Sequence, residues 1–198
     1  MWVLVLGLVL FLGVHSVRVF AESWRTAAVD RYGAGAFKGA YSLASLAGFL
    51  LIIWGYGMAR TSPVALWNPP VATQHVAALL TLVAFVLLAA TYVPGNAIKA
   101  KLRHPMVLSV KVWAFAHLLA NGTLADVLLF GSFLAWAVLS FRAARQRDRA
   151  AGTASTPQAK PATSAAGTAG AVVAGLAAWA FFAFWAHGAW IGVRPFGV

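Results

Sequence analysis

The chain has 198 residues, 62% of them apolar and 10% charged, and its 15 Lys and Arg against 4 Asp and Glu give a net charge of +11. Because soluble domains are about a quarter charged, this composition and a mean hydropathy of +0.80 exclude a soluble domain and indicate the lipid bilayer as the main partner. The basic residues have no soluble face that could bind nucleic acid, and the lack of cysteine excludes disulfides and thiolate ligands.

Apolar runs of about the twenty residues that cross roughly 30 Å of hydrocarbon follow one another along the chain. They predict an all-α integral membrane bundle of about six helices. The predicted spans are 2–20, 41–59, 74–94, 106–121, 124–141 and 170–193. We expect residues 1–142 to form a five-helix membrane core, 143–169 a flexible basic cytoplasmic linker, and 170–198 the final span with an external C-terminus.

The second predicted helix carries a stripe of mostly small residues at spacings of three and four. Lipid tails are as apolar as helix surfaces, so membrane helices associate where small side chains let their backbones approach closely. We therefore predict that this stripe is a packing seam. The stripe consists of Tyr41, Ser45, Gly48, Ile52, Gly55 and Ala59.

The basic residues predict the orientation, because short cytoplasmic loops are enriched in Lys and Arg. Most of these residues fall in the loops 22–40 and 95–104 and in the segment 142–169, which alternation places on one side of the membrane. The other side has only Arg60 and Arg194. An even number of spans then places both termini outside.

Five histidines are the strong metal ligands of this sequence. His15, His117 and His187 lie within predicted helices, whereas His75 and His104 lie at interfaces where water can satisfy them. At 1.5 Å per residue, His15 and His117 differ in depth by about 9 Å. This spread does not suit a metal ion that needs three or four converging ligands, but it suits haem, which needs one or two. A hydrogen-bonded packing role remains the alternative for each histidine.

Several segments resemble the NnrU family, which is linked with bacterial denitrification genes and is related to the plant zeta-carotene isomerase. The similarity covers nearly the whole chain apart from 143–169. It implies a protein of the bacterial inner membrane with haem b as cofactor, acting in redox chemistry or isomerisation of a lipid-soluble substrate or in denitrification-linked processes. The segments are LGLVLFLGVHSVRVF, YSLASLAGFLLIIWGY, LWNPP, LRHPMVLSVKVWAFAHLLANGTLADVLLFG and AHGAWIGVRP.

The resemblance also implies site residues. His15 in GVHS and His117 in WAFAH match histidines that are haem-associated in the isomerases, and we predict that they are the axial iron ligands. His187 is the reserve ligand. Apart from the resemblance, Arg103 and His104 of the RHP motif are placed to hydrogen-bond a haem propionate, with a cap of the following helix at the interface as the alternative role of His104.

The isomerases carry Cys three residues before the second histidine, where this chain has Ala114, so a ligand exchange between histidine and thiolate is excluded.

Two alternatives to a haem-dependent isomerase remain open. The Arg103-His104-Pro105 motif and the short helical hairpin after it also resemble membrane methyltransferases of the isoprenylcysteine carboxyl type, which use S-adenosylmethionine. A non-catalytic accessory or assembly protein for respiratory enzymes is the third interpretation, since the sequence has no evident acid–base dyad.

The predicted topology can be tested with single cysteines, because the native chain has none. We expect a cysteine at Ala151 to be shielded from an impermeant thiol reagent in intact cells, and a cysteine at Val71 to be labelled. Labelling of each position after permeabilisation is the control. The reverse pattern in intact cells would refute the orientation.

Overall fold

The computed structural model of the protein describes residues 1–154 and 162–196. Within these ranges the chain is helical and has no strand, apart from an isolated antiparallel β-bridge between Ala65 and Thr123. The predicted all-α class is confirmed. The helices are α1 (Trp2–Phe20), α2 (Glu22–Tyr32), α3 (Ala34–Arg60), α4 (Val71–Tyr92), α5 (Ala97–Leu102), α6 (Pro105–Ala120), α7 (Leu124–Ala154) and α8 (Ala165–Phe181), which continues as a π-helix over Phe182–Ile191.

The long helices have the length and the surface of membrane spans. Of the described helices, 5 are long and apolar enough to cross a bilayer, and the remaining predicted span is α6, whose 16 residues reach about 24 Å. Large apolar side chains stand exposed on these helices, among them Leu43 with 72% and Leu79 with 67% of its surface accessible. Such surfaces suit hydrocarbon, and the chain is a multi-pass membrane protein.

The chain folds as two compact units. Unit 1 comprises Met1–Asn68 and Asn121–Ser140, and unit 2 comprises Pro69–Ala120 and Phe141–Val198. This division differs from the expected one of a five-helix core, a linker and a final span. Composition detects polar stretches between helices, whereas the units reflect which helices pack together, including helices that lie far apart in the sequence.

α7 continues well beyond the predicted fifth span. It runs to Ala154, so residues 143–154 of the predicted flexible linker are helical. These residues are rich in Ala and Arg, which are strong helix formers and can extend a helix that membrane packing has already nucleated. Residues 155–161 of the predicted linker lie outside the described residues.

In unit 1, α1 packs against α3 along the predicted seam. A Cβ atom added at Gly48 would lie 2.7 Å from the backbone nitrogen of Phe11, and one added at Gly7 would lie 2.6 Å from that of Ile52. The two backbones therefore touch where these glycines lie, and the predicted packing seam is confirmed. The buried residues of α3 are Gly48, Ile52, Gly55 and Ala59.

In unit 2, α4 packs against both α6 and α8, and a hydrogen bond joins it to each of them. The Ser109 hydroxyl of α6 donates to the Ala84 carbonyl at 2.8 Å, and the Trp179 indole of α8 donates to the Thr81 hydroxyl at 3.2 Å. Hydrocarbon offers no partner to these polar groups. The bonds therefore fix how α6 and α8 lie along α4.

The last predicted span, 170–193, is not a regular α-helix throughout. Residues Phe182–Ile191 form a π-helix, which ends at Gly192 with a φ of 75°. An apolar segment can form either type of helix. In a π-helix each N–H bonds to the carbonyl five residues earlier, whereas in an α-helix it bonds to the carbonyl four residues earlier. Hydrophobicity alone therefore predicts the span but not this change in its hydrogen bonding.

A methyl group in the seam of unit 1 should destabilise the protein. Gly48→Ala places a Cβ against the backbone of Phe11, which cannot move aside as a flexible side chain can. We expect a loss of about 1–3 kcal/mol in the free energy of unfolding, as for other overpacked sites. Gly57→Ala is the matched control, because it lies on the same helix and its Cβ would meet no atom within 4 Å.

The measurement is unfolding in mixed micelles, followed by circular dichroism. Both substitutions gain the same helix propensity, so their difference reports the seam contact alone. Equal stability of the two variants would show that α1 and α3 are not in backbone contact.

Candidate functional site

His15, the first predicted iron ligand, lies half-buried in α1 of unit 1. Its ring Nδ1 lies 2.7 Å from the backbone carbonyl oxygen of Phe11. Since a carbonyl oxygen can only accept, Nδ1 carries the proton and donates it, and the lone pair of the ring is on Nε2. Aromatic rings surround the imidazole, with the Phe11 centroid at 4.2 Å and the Tyr41 centroid at 5.3 Å.

His15 also lines a cavity of about 270 Å³ in unit 1, which we call the basic cavity. Its walls combine apolar side chains with three cationic ones, and both α2 and α3 contribute to them. No sequence motif indicated this cavity, because its residues come from three helices. The lining residues are Val14, His15, Val17, Arg18, Arg25, Val29, Ala34, Phe37, Lys38 and Tyr41.

A buried indole N–H completes the surroundings of His15. The Trp136 ring stands edge-on to the imidazole with centroids 6.1 Å apart. Its Nε1 is buried and has no hydrogen-bond partner among the residues that the structure describes. A buried unpaired N–H is costly, so this position favours a ligand that brings an acceptor.

His117, the second predicted iron ligand, lies half-buried in α6 of unit 2. Its Nδ1 lies 2.8 Å from the carbonyl oxygen of Trp113, and the Trp113 ring centroid lies 5.0 Å from the imidazole. Nδ1 is again the protonated nitrogen, so the lone pair is on Nε2. His15 and His117 therefore share one tautomer, fixed by the carbonyl four residues earlier.

Arg103 and His104 are both paired with Asp148, a residue that we assigned to the flexible linker. In unit 2, Nε2 of His104 lies 3.0 Å and Nη1 of Arg103 lies 3.6 Å from the same carboxylate oxygen of Asp148. The extension of α7 brings this acid to the RHP motif. The available signal was that Asp148 is the single acid in the basic run RAARQRDRAA.

The remaining histidines lie elsewhere. His75 is exposed near the start of α4. His187, the reserve ligand, lies in the π-helical segment, and its Nδ1 lies 2.6 Å from the carbonyl oxygen of Val193. In residues 1–154 and 162–196, no three His, Asp or Glu side chains form a group that could hold a metal ion by themselves.

Unit 1 also contains a buried carboxylate that no sequence motif indicated. Asp126, with 5% of its surface exposed, accepts a hydrogen bond from the Tyr56 hydroxyl at 2.6 Å. Its other oxygen accepts from the Thr123 backbone N–H at 3.0 Å and from the Thr123 hydroxyl at 2.6 Å. Arg60 lies over the Tyr56 ring at 6.0 Å. The cluster joins the end of α3 to the start of α7.

Comparison with known proteins gives one result. The chain matches the family model described as NnrU protein over residues 3–195. No curated protein matches the chain. No solved structure matches it either.

Removal of the Tyr56 hydroxyl should destabilise the protein. Tyr56→Phe leaves one oxygen of buried Asp126 without its donor, which costs about 1–3 kcal/mol. Tyr92→Phe is the control, because Tyr92 is 71% exposed. Unfolding in mixed micelles measures both, and a Tyr56→Phe protein as stable as the control would contradict the role of the bond.

Proposed function

The chain belongs to the NnrU family, and on that basis we propose that it binds haem b in the membrane, with His15 and His117 as the iron ligands. Bound haem would supply a redox-active iron for redox chemistry or isomerisation of a lipid-soluble substrate. The denitrification-linked role implied by the family resemblance is compatible with such redox chemistry. The protein's own part would be to orient the two imidazoles through their Nδ1–H bonds and to place aromatic rings beside them.

The observation that carries the proposal is the shared tautomer of His15 and His117. Each donates its Nδ1–H to the carbonyl four residues earlier, so Nε2 is the ring nitrogen through which each neutral imidazole would bind a metal. Such a bond from the second ring nitrogen to a carbonyl also fixes the ring orientation and raises the basicity of the ligand, as is usual in metal sites.

The surroundings of His15 fit the porphyrin and its acidic side chains. Phe11 and Tyr41 offer aromatic faces to an apolar macrocycle. The basic cavity beside the imidazole offers cations to propionates. The buried Trp136 N–H offers a donor that has no acceptor among the described residues. These residues therefore support a haem site at His15.

Arg103 and His104 support the proposal less directly. Both side chains already contact Asp148, which balances part of their charge. A propionate would have to compete with this carboxylate. We therefore propose only a secondary part for them in holding the cofactor, and the ligand test is directed at the other histidines.

The test is the optical spectrum of the purified protein and of four alanine variants, at His15, His117, His75 and His187. We expect a Soret band and a pyridine haemochrome of b type for the wild type. His15→Ala and His117→Ala should each shift the spectrum towards high spin or lose haem, because loss of an imidazole ligand would leave the iron with one ligand fewer. His75→Ala is the matched control and should keep the wild-type spectrum, since His75 is exposed near the start of α4.

Three outcomes would contradict this assignment. A fully low-spin, haem-replete His117→Ala or His15→Ala protein would exclude that histidine as a ligand. A high-spin His187→Ala protein would point to the reserve ligand instead. A wild-type protein that takes up no haem but binds S-adenosylmethionine tightly would favour the methyltransferase alternative.

A further inference from the structure

We propose that the basic cavity beside His15 is a binding site for an amphiphile whose acidic head, a carboxylate or a phosphate, pairs with Arg25 and Lys38. The site lies within unit 1, between α1, α2 and the start of α3. It does not depend on haem binding, because the cations and the apolar walls are present in the chain itself.

The first argument is charge. Three cationic side chains, Arg18, Arg25 and Lys38, line the cavity. Of the two acids of α2, Glu22 pairs with Arg18 at 3.7 Å and with Arg25 at 3.3 Å, whereas Asp30 is exposed and is not among the lining residues. No ion pair of Lys38 occurs in the part of the chain that the structure describes. The cavity therefore keeps an excess of positive charge, and an anion is the ligand that this excess favours.

The second argument is the composition of the walls. Between the cations lie Val14, Val17, Val29 and Phe37, so the cavity is not a purely polar pocket for a free inorganic ion. The Arg25 guanidinium stands over the Phe37 ring at 5.8 Å, which holds the cation beside the apolar wall. A ligand that satisfies both surfaces has an acidic head and an apolar body.

The third argument is the position of the cavity. α2 carries Trp24 and Tyr32, of which 60% and 64% is exposed. Exposed aromatic residues of this type are enriched at the level of lipid headgroups. Gly33, with a φ of 83° that other residues rarely adopt, then turns the chain from α2 into α3. The cavity thus lies where an acidic headgroup is available from the bilayer.

Two sources can supply this chemistry, an anionic phospholipid or the acidic side chains of haem. The first needs no cofactor, and the second rests on the proposed function. The experiment therefore has one arm for each source, and failure of haem binding leaves the lipid arm intact.

The lipid arm titrates the detergent-purified protein with dioleoylphosphatidylglycerol or with dioleoylphosphatidylcholine, which share their acyl chains, and counts bound lipid by native mass spectrometry. We expect tighter binding of the anionic lipid to the wild type. Arg25→Gln with Lys38→Gln should weaken it tenfold or more, since two charge-assisted contacts are lost. Arg31→Gln with Lys101→Gln is the control, which removes the same charges from residues outside the cavity.

The haem arm compares haem with its dimethyl ester, in which both carboxylates are blocked. Tighter binding of haem than of the ester by the wild type, lost in the cavity variant and kept in the control, would assign the site to the cofactor's acidic groups. A preference for phosphatidylglycerol that follows the same pattern would assign it to lipid. If neither probe shows a preference, or if the control variant loses as much as the cavity variant, the proposal is overturned.

Discussion

The close backbone contact between α1 and α3 is the constraint on which unit 1 depends. In hydrocarbon two apolar helices gain little by leaving lipid, so association requires dispersion contacts at short range. Gly7 on α1 and Gly48 and Gly55 on α3 allow this approach, because a Cβ at any of them would overlap the partner backbone. His15 lies two turns beyond Gly7 on the same helix, so the seam determines where its imidazole lies.

The second constraint is that polar groups inside the membrane need internal partners. The imidazoles of His15 and His117 satisfy this requirement by hydrogen-bonding to the carbonyl four residues earlier on their own helix. Asp126 satisfies it by accepting hydrogen bonds from the hydroxyls of Tyr56 and Thr123. A bond to a carbonyl of the same helix fixes the tautomer of the imidazole, whereas a bond between helices fixes how those helices pack. The same physical requirement therefore produces candidate ligands in one case and a structural link in the other.

The acids show how the excess of positive charge is distributed. Glu22 pairs with Arg18 and Arg25, and Asp148 pairs with Arg103 and His104. Both groups lie on the side that the sequence predicts as cytoplasmic. The RHP motif thus has its charge partly balanced by Asp148, while the basic cavity retains its excess. This contrast is the reason that the cavity, and not the motif, is the better candidate for an external anion.

The sequence by itself determined the helical membrane class, the approximate spans and the seam on α3, because hydrophobic length and the spacing of small residues are local properties. The family resemblance identified His15 and His117 as candidate ligands through the motifs GVHS and WAFAH. The tertiary structure decided what no local pattern contains. It extended α7 so that Asp148 reaches His104, and it gave part of the last span π-helical bonding. It also brought Tyr56 to Asp126 and assembled the basic cavity from α1, α2 and α3. These features depend on contacts between residues far apart in the chain, or on the hydrogen-bond register of a helix, and composition and periodicity specify neither.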